Sequence, residues 1–179
     1  MEHKEQPRRE RITNFGPRNN SYSGFKNKMD EQKTREKLNV FYEALTFNDE
    51  WIIKGADKEL IEYAEKAGEY MAPLYKGEKQ CLSKSQIRNV YGEIKRIQLK
   101  GINTMEGKTS FMLLKPKVAY AEGRNKTMGL SLFKKIFDDA WDATSKCLEN
   151  ESSSIIAYNN FCALLEAILA YHKAYGGQD

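Results

Sequence analysis

The sequence predicts an all-α fold, a compact bundle of about five helices preceded by a flexible basic arm. Three observations lead there. Apolar residues recur every three to four positions along most of the chain after residue 57. No run alternates apolar and polar side chains long enough to form a half-buried strand, and no internal repeat is visible. The intervals between the periodic stretches are short, as between neighbouring helices of a bundle. At 179 residues the chain has room for one sizeable core and not for two full domains.

The opening stretch, MEHKEQPRRERITNFGPRNNSYSGFKNK, is rich in Arg, Asn, Ser, Gly and Lys and poor in aliphatic residues, so it cannot bury enough surface to offset its chain entropy. Residues 1–47 are therefore expected to be a flexible arm, with one short helix in which Leu38, Phe41, Tyr42 and Leu45 share a face, and residues 48–179 a single helical domain. Trp51 to Ile53 read as an apolar plug. Asp57 caps a helix carrying Leu60, Ile61, Ala64, Ala67 and Met71 on one side and ending near Pro73 to Gly77. Ser83, followed three residues later by Gln86, forms a capping box for a helix that ends at Gly101 and turns Ile87, Val90, Ile94 and Ile97 to the core.

A third helix is expected over residues 108–123, with Leu114, Val118 and Ala121 on its inner face. Pro116 interrupts it: proline lacks an N–H and crowds the carbonyl four residues back, so the helix either kinks there or begins there. The fourth runs from about Leu130 through Phe133, Phe137, Ala140 and Trp141 to Cys147. The last starts at Ser152–Ser154 and reaches Gly176; Ile155, Tyr158, Phe161, Leu165, Ile168 and Leu169 make it apolar on most sides, as suits a buried central helix.

Charge is unevenly placed. The whole chain carries a net +4, yet residues 79–126 hold eleven basic and three acidic residues, a net +8. On a helical wheel Arg88 and Lys95 flank the apolar arc of Ile87 to Ile97, and Arg96 and Lys100 lie toward the other side with Glu93 as the one acid among them. Lys117 and Arg124 fall seven apart on one face of the next helix, with Lys115 elsewhere. A solvated face ordinarily mixes signs to gain pairs one turn apart, whereas this block offers little acid, which favours a polyanionic partner, nucleic acid above all. Tyr91 and Tyr120 are expected at the edge of the core, with stacking on bases as the alternative.

No catalytic constellation emerges. Gly101 and Gly107 have five residues between them, one too many for a phosphate loop, and follow a helix instead of a strand. Asp138, Asp139 and Asp142 read as a hydrated acidic face, and His3 and His172 have no ligand at metal spacing. Three scattered cysteines, Cys81, Cys147 and Cys162, have no histidine nearby and suit a reduced, cytoplasmic protein. The first residues show no charged stretch followed by an apolar one, so no secretory leader is expected, and the longest apolar run is short and interrupted, so no segment is expected to span a membrane.

Two stretches carry a family resemblance. SQIRNVYGEIKRIQ, Ser85 to Gln98, and LLKPKVAYAEGR, Leu113 to Arg124, closely resemble the two signature stretches of the small subunit of the type III-A CRISPR effector, the Csm complex, in that family's order and at about its separation. The resemblance covers roughly residues 56–175, and the arm before Trp51 departs from it. It implies an all-helical subunit of an antiviral ribonucleoprotein, with no active site and no cofactor. Copies of it would associate along an inner filament, beside the backbone subunits that hold the guide RNA and the large polymerase-like subunit. RNA cleavage would belong to the backbone subunits, and DNA cleavage and cyclic oligoadenylate synthesis to the large subunit. This chain would hold the backbone of the target RNA, whose sequence the guide reads by pairing.

Arg88, Lys117 and Arg124 lie in the matched stretches, and with Lys95, Arg96 and Lys115 they make up the expected RNA-binding set. Arg124, following Gly123, has an alternative task in bonding the last carbonyls of its helix. The competing reading of the whole chain is a helical adaptor whose basic face docks an acidic protein partner.

Overall fold

A computed structural model describes residues 33, 36, 45–74 and 78–177. Among the described residues the regular structure is entirely helical: α1 Glu50–Ile53, α2 Lys58–Met71, α3 Lys84–Lys100, α4 Met105–Met112, α5 Leu114–Arg124, α6 Met128–Ser145 and α7 Glu151–Ala174. Most of the arm expected over residues 1–47, including Leu38, Phe41 and Tyr42 of its short helix, lies outside the described residues. Leu45 is not helical and packs against the core at its margin, as does Phe47, whose ring meets Trp51 and Tyr63 edge-on.

Local chemistry starts most of these helices. The Asp57 carboxylate accepts from Leu60 N–H at 2.8 Å, Thr127 Oγ1 from Leu130 N–H at 3.1 Å, and Asn150 Oδ1 from Ser153 N–H at 3.2 Å. The capping box of α3 is present, with Ser83 N–H donating to Gln86 Oε1 at 2.8 Å. Gly101 closes that helix at φ +81°, a left-handed backbone that suits glycine.

α7 is the central element. It packs on α1, α2 and α6, and it buries Ala157, Tyr158, Phe161, Cys162, Leu164, Leu165 and Ile168. Gly68 of α2 brings the two backbones close: a Cβ there would stand 2.5 Å from Tyr171 Cβ and 2.6 Å from His172 N. α3 packs on α4 and α5, and α5 on α6. Tyr158 ties the groups together by donating its hydroxyl to Ile94 O at 2.7 Å, and Phe111 sits between the rings of Trp141, Tyr158 and Phe161.

Four expectations are corrected. The third helix is two helices: α4 starts at Met105 behind a Thr104 cap, and the chain breaks at Leu113. Pro116 is then the third residue of α5, where no helical partner awaits an N–H, so of the two alternatives the helix begins there instead of kinking. Ile61 is exposed, because Tyr63 and Tyr70 fill the inner face of α2. The plug at Trp51–Ile53 is a single helical turn that buries Trp51 and Ile52 and leaves Ile53 half exposed. Finally, α7 is by length and composition apolar enough to cross a bilayer, contrary to expectation; in this fold its apolar side chains build the core.

Candidate nucleic-acid interface

α3 and α5 run side by side and leave between them a groove of ≈ 580 Å³. Val90, Leu114 and Val118 form its apolar floor. Asn89 and Glu93 of α3 line one wall, and Lys117, Tyr120 and Arg124 of α5 the other. The break at Leu113 makes this possible. It frees α5 from the direction of α4, and Trp141 of α6 fixes the junction, its Nε1–H donating to Phe111 O at 3.0 Å while its ring stacks on Phe111 at 5.5 Å.

The six expected residues divide among three places. Lys117 and Arg124 line the groove together, whereas Arg88 does not line it and is exposed on the face of α3 that carries Lys95 two turns later. Arg96 reaches back to Glu93 at 2.8 Å. Lys95 turns away toward α7, where it meets Glu166 at 2.5 Å, and Lys115 turns toward α6, paired with Asp142 at 2.5 Å and lying over the Trp141 ring at 4.5 Å. Arg88 and Arg124 make no ion pair or hydrogen bond through their side chains among the described residues. The alternative task for Arg124, bonding the last carbonyls of α5, is not seen.

The block has more acid to pair with than its own composition suggests. Glu93 uses both carboxylate oxygens, one on Arg96 and one on Lys117, each at 2.8 Å, and the Lys117 bond holds its carboxyl below the usual carboxylate range. Glu166 likewise is lowered by the Lys95 bond, and Lys95 is raised by the same contact. Tyr91 joins that pair by donating to Glu166 at 3.1 Å. Lys100 meets Glu106 at 2.6 Å. Sequence reasoning placed Glu93 correctly among the cations, but gave no role to Asn89 and expected Tyr120 at the edge of the core; Tyr120 is 71 % exposed.

The other polar features serve the fold. Gly107 lies against the turn before α4, where a Cβ would come within 2.0 Å of Gly101 O, which accounts for both glycines without a phosphate. Asp138 pairs with Lys134 and Asp142 with Lys115, while burial raises the Asp139 carboxyl. His172 is buried beneath Gly177, whose N–H donates to His172 O at 2.8 Å, and His3 lies outside the described residues. Burial pushes the Cys162 thiol up to about 11, a poor state for a nucleophile.

No curated protein and no solved structure matches the chain. The family model for Csm2 Type III-A, however, matches residues 54–178, from the end of α1 to just beyond α7, and so takes in both walls of the groove and the helices that hold them. With that match over most of its length, the chain belongs to the Csm2 type III-A family, the small subunit of the Csm complex.

Proposed function

We propose that this small subunit is non-catalytic, that copies of it associate along the inner filament of the Csm ribonucleoprotein, and that its basic face holds the backbone of the target RNA without reading its sequence. Residues 48–179 would act as the folded domain and the arm before them as an appendage, in a complex of the cytoplasm. The observation that carries the RNA reading is the α3/α5 groove: Lys117 and Arg124 line it, and the segment that builds it has a net +8. Flexible cations two turns apart along one wall suit a phosphodiester chain, and contacts of that kind position a strand without specifying bases. Leu99 and Met105, 89 % and 81 % exposed on either side of the α3–α4 turn, support a protein contact at that end of the molecule.

The test is charge reversal of Arg88, Lys117 and Arg124 together in the assembled complex. Loss of three phosphate contacts flattens the dependence of log affinity on log salt by about 2, taking roughly 0.7 per contact on a single strand. Retention of target RNA falls while the guide-bound complex still assembles. Assembly and target affinity both at the wild-type level would remove these residues from the interface.

A further inference from the structure

Tyr120 is the one exposed tyrosine that makes no hydrogen bond among the described residues. Tyr63, Tyr70 and Tyr158 are buried, Tyr91 donates to Glu166, and Tyr175 donates to Glu65 at 3.0 Å. Tyr120 instead projects from the wall of the groove with Lys117 one turn before it and Arg124 one turn after it. Gly123 stands on the same side. It is the next-to-last residue of α5 and carries no side chain into the space beside the ring. A Cβ at Gly123 would meet nothing within 4 Å, as at Gly92 of α3, so the space there is open. Helical side chains lean toward the N-terminus, so any longer residue at 123 would lie back over the surface beside Tyr120. Its absence keeps one side of the ring open. Across the groove the Asn89 amide has no partner among the described residues.

We propose that this groove takes one unpaired nucleotide of an RNA strand, its base stacked on Tyr120 and its phosphates on Lys117 and Arg124. The proposal rests on the RNA reading above and adds to it a site for a base. Every base has a π face, so stacking is tolerant of sequence and compatible with a subunit that reads none. A base inside a duplex has both faces covered, so the site favours single-stranded over paired RNA. The groove volume lies within the range of small-ligand sites.

The experiment is an NMR titration of the isotope-labelled full chain with adenosine 5′-monophosphate, with ribose 5-phosphate and with a short adenosine trinucleotide. All three shift Lys117 and Arg124; the two that carry a base also shift Tyr120 and Gly123. The mononucleotide saturates at a concentration at least about fivefold below that of ribose 5-phosphate, the low end of a base–aromatic stack. The trinucleotide binds more tightly again. Tyr120→Ala abolishes the advantage of the base and Tyr120→Phe keeps it. Gly123→Leu also abolishes it, whereas Gly123→Ala keeps it and raises the melting temperature.

Equal binding of mononucleotide and ribose 5-phosphate, or an advantage that survives Tyr120→Ala, overturns the base site and leaves backbone binding standing. A mononucleotide that outcompetes the trinucleotide makes this a free-nucleotide pocket and overturns the RNA occupant. No shift from any of the three at tens of millimolar overturns both this inference and the RNA reading it rests on.

Discussion

Replacement of Glu93 by glutamine removes one negative charge from a side chain whose two oxygens hold Lys117 and Arg96 at 2.8 Å each. Glutamine keeps the shape and can accept one of the two bonds, so one to two cations are released toward the groove. Each released cation steepens the salt dependence of single-strand binding by roughly 0.7, which gives about 0.7 to 1.4 for the variant. Over a fourfold change in salt, that amounts to about a three- to sevenfold gain in affinity at the low end relative to the high end. The cost to folding is small. Lys117 and Arg96 are 54 % and 63 % exposed, and exposed pairs of this kind contribute about 0.2–1 kcal/mol or less. Because the folded-state carboxyl is lowered, its stabilising contribution is complete above the ordinary carboxylate range and fades as pH falls through the lowered value. The melting temperatures of variant and parent therefore converge in strong acid. The assay is fluorescence anisotropy of a labelled single-stranded RNA with the full chain over a salt series. An unchanged or shallower slope for Glu93→Gln would refute the idea that this acid restrains the cations of an RNA groove.

Three further perturbations test the frame around that groove. Gly129→Ala puts a Cβ 2.4 Å from Leu82 N and 2.8 Å from Cys81 C, where only backbone can yield, and is expected to destabilise by about 1–3 kcal/mol in denaturant unfolding. Pro116→Ala changes stability by less than about 1 kcal/mol because the first turn of α5 leaves that N–H without a helical partner, whereas Ala119→Pro, later in the same helix, costs about 3 kcal/mol or more. Tyr158→Phe removes the bond to Ile94 O between α7 and α3 and is expected to lower stability by about 1 kcal/mol, read as a fall in melting temperature of roughly 2–4 °C.

The helices were legible because their signals are local. Ser83 and Gln86 satisfy each other within one turn, and Asp57 caps a helix whose inner face repeats at Leu60, Ala64, Ala67 and Met71. The break between α4 and α5 was only half legible. Pro116 shows that something happens, but the group that settles the junction is Trp141, thirty positions from the carbonyl it bonds. The pairing of the charges was less legible still. Glu166 lies 71 positions from Lys95 and Asp142 lies 27 from Lys115, so a count of acids inside residues 79–126 leaves out two that matter. Tyr120 was misread for a related reason: helical spacing puts it near the inner face of α5, and only the separation of α3 from α5 shows that a groove lies there.

The clasp at Trp141 makes the molecule its own optical gauge. The chain has two tryptophans, and the other, Trp51, is buried with its Nε1 unpartnered among the described residues, so phenylalanine there forfeits no hydrogen bond. What remains is a single indole that touches the ring and the carbonyl of Phe111, just before the break, and the ammonium of Lys115, just after it. Lys115 is carried on α5, so a tilt of α5 that widens or narrows the groove moves its ammonium against the indole. The emission of that one side chain thus follows the groove directly, with no dye attached to the surface under study.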